Sequence, residues 1–230
     1  MFHFKDNKYQ LTYISLIFFA ITIILAITAF APVATYDSFW HLRMGDDFIN
    51  NGLSPWIDHY SVSYLHHEIS SIPILFQVLL SKIVSVAGEN NGFRAIKLLY
   101  VIILMPVLFI YFRAIKASWL TVFIFLPLIA YAIQLRLIVR PEIFSNILII
   151  LCLLLYLRAQ KSFATKELIY ITLLLLFWIN YHSPIFGYII IFGLFLDKAL
   201  NKLINNDTSF SWKHWFFWGG VIFITGFLHH

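Results

Sequence analysis

Long unbroken runs of apolar residues alternate with short polar segments along most of the chain. A helix needs about 20 apolar residues to cross a bilayer, whereas the strands of an outer-membrane barrel alternate in polarity. Seven runs predict transmembrane helices: Leu11–Val33, Phe93–Phe112, Trp119–Leu135, Ile143–Leu157, Leu168–Tyr181, Ile185–Leu196 and Trp215–Leu228. The pattern therefore predicts an all-α polytopic membrane protein of about seven transmembrane helices, in a single domain that covers residues 1–230.

Two segments between the first and second runs do not fit a simple span. Residues 34–70 are polar, aromatic and rich in histidine. Residues 72–87 are apolar but carry a polar stripe, because Gln77, Ser81 and Ser85 recur every four residues. Such a segment forms either a span or an amphipathic helix in the membrane interface. We predict a surface helix at 72–87 within a first extracytoplasmic loop of residues 34–92, with Gln77 and Ser81 facing water or the loop.

The distribution of positive charge selects this topology. If residues 72–87 do not span, the chain begins in the cytoplasm, and most of the sixteen Lys and Arg residues fall on the cytoplasmic side, as the positive-inside tendency requires. Those residues are Lys5, Lys8, Arg113, Lys116, Arg158, Lys161, Lys166, Lys198, Lys202 and Lys213. Pro184 breaks the helical ladder between the fifth and sixth spans, which predicts a tight hairpin there rather than one long helix.

Composition excludes the water-soluble classes. Hydrophobic residues make up 61% and charged residues 12% of the chain, against about 45–50% and 25% in soluble domains. The net charge of +5 marks cytoplasmic loops rather than a nucleic-acid partner. Cys152, the single cysteine, cannot form an internal disulfide and is expected to be buried and inert.

This topology brings the candidate polar residues to the extracytoplasmic side. Asp37 follows the first span and is either a helix N-cap or a general base among aromatic residues. Asp46 and Asp47 are adjacent and therefore do not share a helix face, so we expect solvated surface acids. Arg136 and Arg140 are four residues apart and are expected to share a helix face, as a phosphate clamp or as snorkelling side chains.

Two further groups lie on the same side. His66, His67 and Glu68 could ligate a metal, orient Asp37, bind substrate or begin the surface helix, and the spacing is not that of a zinc motif. Asn180 and His182 end a span beside Trp178 and Tyr181, which fit an interfacial aromatic belt. The side chains of Asn180 and His182 add hydrogen-bonding groups at the membrane depth where a lipid-linked sugar or phosphate would lie.

The order of these motifs resembles the GT-C superfamily of membrane glycosyltransferases. The matching elements are Asp37–Gly45 (DSFWHLRMG), Pro55–Ser61 (PWIDHYS), His67-Glu68, Arg140–Ser145 (RPEIFS) and Trp178-x-Asn180-x-His182. Members of this superfamily place an acid in the first extracytoplasmic loop, just after the first span, and follow it with membrane-surface helices. Ser38 stands where the best-known pattern has a second acid.

The resemblance implies an inverting transfer of a sugar from a polyprenyl-phosphate donor to an acceptor at the outer face of a bacterial inner membrane. It implies that Asp37 is the catalytic base and that His41, Arg43, His67, Glu68, Arg136, Arg140, Asn180 and His182 bind substrate. No cofactor is expected, and a divalent metal stays an alternative. Relatives usually run to several hundred residues, so the resemblance also leaves open a truncated, inactive member.

Other classes of function also fit the sequence. A non-enzymatic polytopic protein, such as a transporter or an envelope assembly subunit, is the main alternative. A transporter would carry polar residues in mid-membrane, whereas the middles of these spans are apolar. A polymerase or ligase of lipid-linked oligosaccharides would show the same one-sided polarity.

Overall fold

The computed structural model describes residues 8–31, 35–60, 63, 65–68, 73–205 and 211–225. These residues form nine α-helices: α1 Lys8–Ala29, α2 Tyr36–Asn50, α3 Ile74–Ala87, α4 Glu89–Ala114, α5 Trp119–Leu135, α6 Glu142–Ser162, α7 Thr165–Tyr181, α8 Ile185–Asn205 and α9 Trp212–Thr225. The prediction of a helical protein is confirmed for this part of the chain. Several residues of the predicted segments lie outside the described residues, namely Lys5, Val33, Ala34, Ser70, Ile72 and Leu228.

The apolar runs correspond closely to helices. The predicted span Trp119–Leu135 coincides with α5, and the predicted break at Pro184 separates α7 from α8. His182, the first residue after α7, has an extended backbone. The polar segment 34–70 contains α2, a helix that the hydrophobic pattern does not predict.

Three helices among the described residues are long and apolar enough to cross a membrane. They are Leu11–Ala29, Glu89–Ala114 and Glu142–Gln160, while Ile74–Ala87 and Trp119–Leu135 are shorter apolar helices. These lengths and compositions are compatible with an integral membrane protein. The total of seven spans stays a prediction.

Several helices carry many large apolar side chains on their exposed surfaces. Large apolar side chains on α1, α5, α8 and α9 are exposed, for example Phe19, Leu128, Phe192 and Phe223. The buried residues are mostly apolar, but they also include these polar or charged side chains: Ser38, His41, Asp47, Gln77, Ser81, Lys97, Ser145 and Thr225. Broad exposed apolar faces mark contact with a membrane or a partner.

The helix α3 buries part of its polar stripe, which changes the interpretation of that stripe. Gln77 and Ser81 are buried, while Leu75 and Val86 are exposed. The Gln77 amide donates to Met44 Sδ at 3.4 Å, and Met44 belongs to α2 within the predicted loop. Of the two environments predicted for the stripe, Gln77 therefore faces the loop rather than water.

Contacts between backbones divide the chain into two compact units. Unit 1 comprises Met1–Leu42 and Leu80–Ile147, and unit 2 comprises Arg43–Leu79 and Leu148–His230. In unit 1, α1 packs against α4 and α5. A single residue, Gly88, connects α3 to α4 with φ of +76°, a left-handed conformation that glycine adopts without strain.

The core of unit 2 forms around Trp178 of α7, which is fully buried. A Cβ on Gly187 of α8 would approach the Trp178 ring to 2.8 Å, so only glycine allows this close approach of α8. Cys152 is fully buried in the same core, as the sequence predicts.

A buried lysine donates a hydrogen bond to the chain just after α1. Lys97 of α4 is only 2% exposed, and its Nζ donates to the Ala31 carbonyl oxygen at 2.6 Å. Carbonyl groups at a helix end lack intrahelical donors and carry the negative end of the helix dipole. Ala31 lies two residues beyond the end of α1, so Lys97 supplies a donor to the chain just after the helix and a positive charge near its carboxyl end.

We predict that Lys97→Met lowers the free energy of unfolding. The change removes a charge-assisted hydrogen bond, which contributes about 1.5–3 kcal/mol, and leaves the Ala31 carbonyl without this donor. Denaturant unfolding in detergent micelles measures the loss. Lys82→Met on the exposed surface of α3 is the control, and equal unfolding midpoints for the two variants would contradict the assignment.

Candidate functional site

A direct contact between two candidate residues lies in unit 1, between Asp37 and Arg140. Asp37 occupies the first turn of α2, and its Oδ2 lies 2.7 Å from Arg140 Nη2. The Asp37 side chain is 56% exposed and that of Arg140 is 39% exposed. The helix begins at Tyr36, so Asp37 is not the N-cap residue. The sequence alone names both residues but not their contact.

A second, buried contact lies beside this ion pair. Ser38 is fully buried, and its Oγ donates to the Val139 carbonyl oxygen at 2.8 Å. Thr35 Oγ1 lies 2.5 Å from the same hydroxyl oxygen. Two consecutive residues of α2 thus bind two consecutive residues of the α5–α6 turn. We call these two contacts, Asp37–Arg140 and Ser38–Val139, the α2 clamp.

The turn that carries Arg140 corrects the predicted helix face of the two arginines. Helix α5 ends at Leu135 and α6 begins at Glu142, so residues 136–141 form a turn. The backbone closes it through hydrogen bonds from Ile138 to the Arg136 carbonyl and from Arg140 to the Ile138 carbonyl. Arg136 and Arg140 therefore do not share a helix face, because the helix has ended before Arg140.

The Arg140 guanidinium keeps hydrogen-bonding capacity beyond the ion pair. Its Nε is buried and has no hydrogen-bond partner among the described residues. Arg136 is exposed, and the described residues contain no ion pair of its side chain. A guanidinium carries five donors in a planar fork that fits phosphate oxygens. Both arginines can therefore donate to an anionic group.

The aromatic residues beside Asp37 make ring contacts within unit 1. The Phe39 ring meets the Phe93 ring of α4 edge to face, with centroids 5.1 Å apart. His41 is buried one turn beyond Asp37, on the same face of α2. Its ring lies 5.0 Å from the Trp40 ring.

Unit 2 holds a separate polar network around Asp47. The Asp47 side chain is 3% exposed, and its Oδ2 lies 2.8 Å from Arg43 Nε. Tyr60 Oη donates to Oδ2 at 2.6 Å, and Asn51 Nδ2 donates to Oδ1 at 2.5 Å. The prediction of a solvated surface acid is wrong for Asp47, because these donors replace water around a buried carboxylate. Asp46 is half-buried.

This network shifts the pKa values of both partners. The hydrogen bond from Tyr60 holds the pKa of Asp47 below its ordinary value of 3.8, with help from Asn51 and Arg43 and against the effect of burial. Burial raises the pKa of Tyr60, and the hydrogen bond to Asp47 raises it further. Tyr60 and Asn51 are site residues that sequence reasoning did not find.

The histidine and glutamate candidates lie in a short pairing of extended segments. Ile57 and Glu68 form an isolated antiparallel bridge, and Asp58 N–H donates to the His67 carbonyl at 2.9 Å. His67 and Glu68 are exposed. They do not begin the surface helix, because α3 begins at Ile74. No group of three residues suited to a metal ion occurs within the part of the chain that the structure describes.

The last two candidates lie where α7 ends. Asn180 is exposed, and its amide donates back to the Leu176 carbonyl one turn earlier, at 2.8 Å. His182 is half-buried, and its backbone N–H donates to the Trp178 carbonyl at 2.7 Å. Of the nine predicted site residues, the structure brings Asp37 and Arg140 into direct contact.

The fold and these contacts define a helical protein with membrane-length apolar helices and an ion pair beyond the end of the first of them. No protein-family model, curated protein or solved structure matches the chain.

We predict that the Asp47 network stabilises the protein only while the carboxylate is ionised. Because the pKa of Asp47 is lowered on folding, its contribution is complete above the ordinary value of 3.8 and is lost as the pH falls through the folded-state value. Asp47→Asn should therefore be less stable than the parent protein at pH 6, and the difference should shrink below pH 3.8.

Thermal unfolding at a series of pH values tests this prediction. Tyr60→Phe should show the same trend with a smaller amplitude, since it removes one of three donors. Glu89→Gln, an exposed change in the first turn of α4, is the control. A stability difference for Asp47→Asn that does not vary with pH would contradict the prediction.

Proposed function

We propose that the protein is an integral membrane glycosyltransferase that moves a sugar from a polyprenyl-phosphate donor to an acceptor. Transfer takes place with inversion at the extracytoplasmic face of a bacterial inner membrane, and Asp37 is the catalytic base. The observation that carries the proposal is the α2 clamp, which fixes an accessible carboxylate beside a guanidinium just beyond the first apolar helix.

The membrane setting is supported by the exposed apolar surfaces of the helices. Exposed apolar faces on α1 and α5 suit hydrocarbon, and the buried polar residues have partners inside the protein, as Lys97 has in Ala31. The positive-inside tendency assigns the amino terminus to the cytoplasm. With seven spans, α2 and the turn at residues 136–141 belong to the outer side.

The position of Asp37 suits a reaction between a lipid-linked donor and a water-borne acceptor. α1 ends at Ala29 and α2 begins at Tyr36, so only a short connection separates Asp37 from the first span. The carboxylate therefore belongs to the membrane interface. Its exposure of 56% leaves it accessible to a substrate hydroxyl.

The proposed reaction is a single displacement at the anomeric carbon. Asp37 takes the proton of the acceptor hydroxyl as the hydroxyl oxygen attacks that carbon. The bond between the anomeric carbon and the phosphate oxygen breaks, and the polyprenyl phosphate leaves with its negative charge. A positioned guanidinium stabilises this charge as it develops.

The contact between Asp37 and Arg140 assigns different roles to the two arginines. In an inverting displacement the base and the leaving phosphate stand on opposite sides of the anomeric carbon. Arg140 touches the carboxylate at 2.7 Å, so it is suited to orient the base rather than to bind the phosphate in the same step. Arg136 is exposed and outside the ion pair, which favours it as the phosphate ligand.

The remaining candidates stay proposals for binding the sugar and the acceptor. His41 is closest to Asp37 along α2, and Arg43 has already engaged Asp47 through Nε. His67 and Glu68 are exposed, as hydrogen-bonding groups for a soluble acceptor should be. Asn180 and His182 complete the set.

A non-enzymatic polytopic protein is the competing function, and one observation favours it. The α2 clamp joins segments that are 101 residues apart in sequence through Ser38 and Val139, and a purely structural role would need the same contacts. The two functions differ in whether the carboxylate itself is required.

We predict that Asp37→Asn lowers sugar transfer by about 10²–10⁴-fold, the usual contribution of a general base. Asparagine keeps the size of the side chain but removes the basic oxygen, so donor binding should persist. Transfer from a panel of polyprenyl-phosphate sugars in reconstituted vesicles measures the loss. Glu89→Gln makes the same change of charge on an exposed helix start and is the matched control.

A double variant that exchanges the charges of Asp37 and Arg140 distinguishes a catalytic role of the carboxylate from a structural role. The double variant Asp37→Arg with Arg140→Asp can re-form an ion pair in reversed orientation, so thermal stability should recover relative to the single variants. Transfer should stay low, because the carboxylate has moved to the turn. Near-normal transfer by Asp37→Asn, or recovery of transfer by the exchange, would reject the assignment of the base.

We predict different kinetic effects for the two arginines. Arg136→Gln should raise KM for the donor, and the effect should be larger at low salt because screening is weaker there. Arg140→Gln should lower kcat with little change in KM, because Asp37 loses the ion pair that orients its carboxylate. Steady-state kinetics at two salt concentrations measure both, and identical effects of the two variants would contradict the division of roles.

A further inference from the structure

A wide apolar groove lies between α8 and α9, within unit 2. Its volume is about 950 Å³, and its lining includes Tyr188, Phe192, Ala199, Phe216, Gly220 and Phe223. The lining residues extend from Tyr188 to Ala199 along α8, a distance of about 16 Å at 1.5 Å per residue. One leaflet is about half of the ~30 Å hydrocarbon core. The groove therefore has the length of a single leaflet.

The polar atoms of the lining are already satisfied inside the protein. Tyr188 Oη lies 2.9 Å from Thr225 Oγ1, and Trp215 Nε1 donates to the Phe195 carbonyl at 2.9 Å. The groove thus offers hydrocarbon and aromatic surface but few unsatisfied donors or acceptors. Such a surface suits an acyl chain and does not suit a sugar.

Two lysines lie beyond one end of the groove, on the faces that line it. Lys202 follows Ala199 by three residues on α8, and Lys213 precedes Phe216 by three residues on α9. Residues three apart on a helix share a face. Both lysines belong to the predicted cytoplasmic end, where membranes carry anionic lipids.

We propose that the groove between α8 and α9 binds an anionic phospholipid whose headgroup lies at the predicted cytoplasmic end of the two helices. An acyl chain fills the groove, and the headgroup phosphate lies near Lys202 and Lys213. A second copy of the chain is a poorer occupant, because copies in one membrane share an orientation. The lysines of the two copies would then meet at the same end, and like charges disfavour such an interface.

This inference rests on the membrane setting of the proposed function but not on its chemistry. Asp37 and the α2 clamp lie in unit 1, whereas the groove lies entirely in unit 2. Asp37→Asn should therefore retain the lipid. Loss of lipid binding with intact transfer would overturn only the lipid site, and loss of transfer with intact lipid binding would overturn only the proposed enzyme.

A pair of glycines provides a matched test. A Cβ added at Gly220 meets nothing within 4 Å, and the same is true of Gly193. Gly220 lines the groove and Gly193 does not. Gly220→Phe should place its ring in the groove, since its Cβ meets nothing within 4 Å, while Gly193→Phe adds the same side chain to α8 at a position outside the lining.

The experiment uses the full chain in detergent with dioleoyl phosphatidylglycerol and dioleoyl phosphatidylcholine, which share their acyl chains. Native mass spectrometry should detect preferential retention of one phosphatidylglycerol by the parent protein and by Gly193→Phe. Gly220→Phe should lose it. Lys213→Gln, an exposed change that should not disturb folding, should lower the preference about fivefold, as loss of one lysine near an anionic lipid predicts.

Three outcomes would overturn the lipid site. Equal retention of the two lipids by the parent protein would indicate general solvation of an apolar surface. Undiminished retention by Gly220→Phe would place the lipid elsewhere. A dimer that Gly220→Phe dissociates would identify a second copy of the chain as the occupant.

Discussion

A polar group buried between apolar helices has to find its partner within the protein, because hydrocarbon offers no hydrogen bonds. The contacts described above follow from this constraint. Lys97 donates to a backbone carbonyl just after α1, and Ser38 donates to a carbonyl of the α5–α6 turn. Gln77 donates to the thioether sulfur of a methionine on α2. The exposed surface of the helices is consequently free to carry large apolar side chains. Exposure of these side chains to water would be unfavourable.

The two contacts of the α2 clamp differ in what they contribute. Asp37 and Arg140 are both substantially exposed, and ion pairs in that environment contribute only about 0–1 kcal/mol. The Ser38 hydroxyl is fully buried, so loss of its partner would cost about 1–3 kcal/mol. Ser38 therefore holds the segments together. The ion pair with Arg140 orients the Asp37 carboxylate. The buried Ser38 contact thus supports the site, while the carboxylate beside it stays accessible.

Sequence reasoning succeeded where a property is local and failed where it depends on distant partners. The bounds of α5 and the break at Pro184 follow from apolar runs and from proline. The burial of Asp47 does not, because its partner Tyr60 lies thirteen positions away, in a loop without periodicity. The helix α2 itself escapes the hydrophobic pattern because charged and apolar residues are mixed within it. Asp37 and Arg140 were each found from residue type, whereas their contact needed the fold.

The Asp47 carboxylate meets two of its partners, Arg43 and Asn51, because each is four residues away along the same helical stretch. Each residue of an α-helix adds about 100° of rotation and 1.5 Å of length. An insertion or deletion of one residue between Arg43 and Asp47, or between Asp47 and Asn51, would therefore turn a partner away from the carboxylate, whichever residue type was used. The number of residues between Arg43 and Asn51 is then as strongly constrained as the identity of these three residues, and the positions between them should tolerate substitution far better than any change in length.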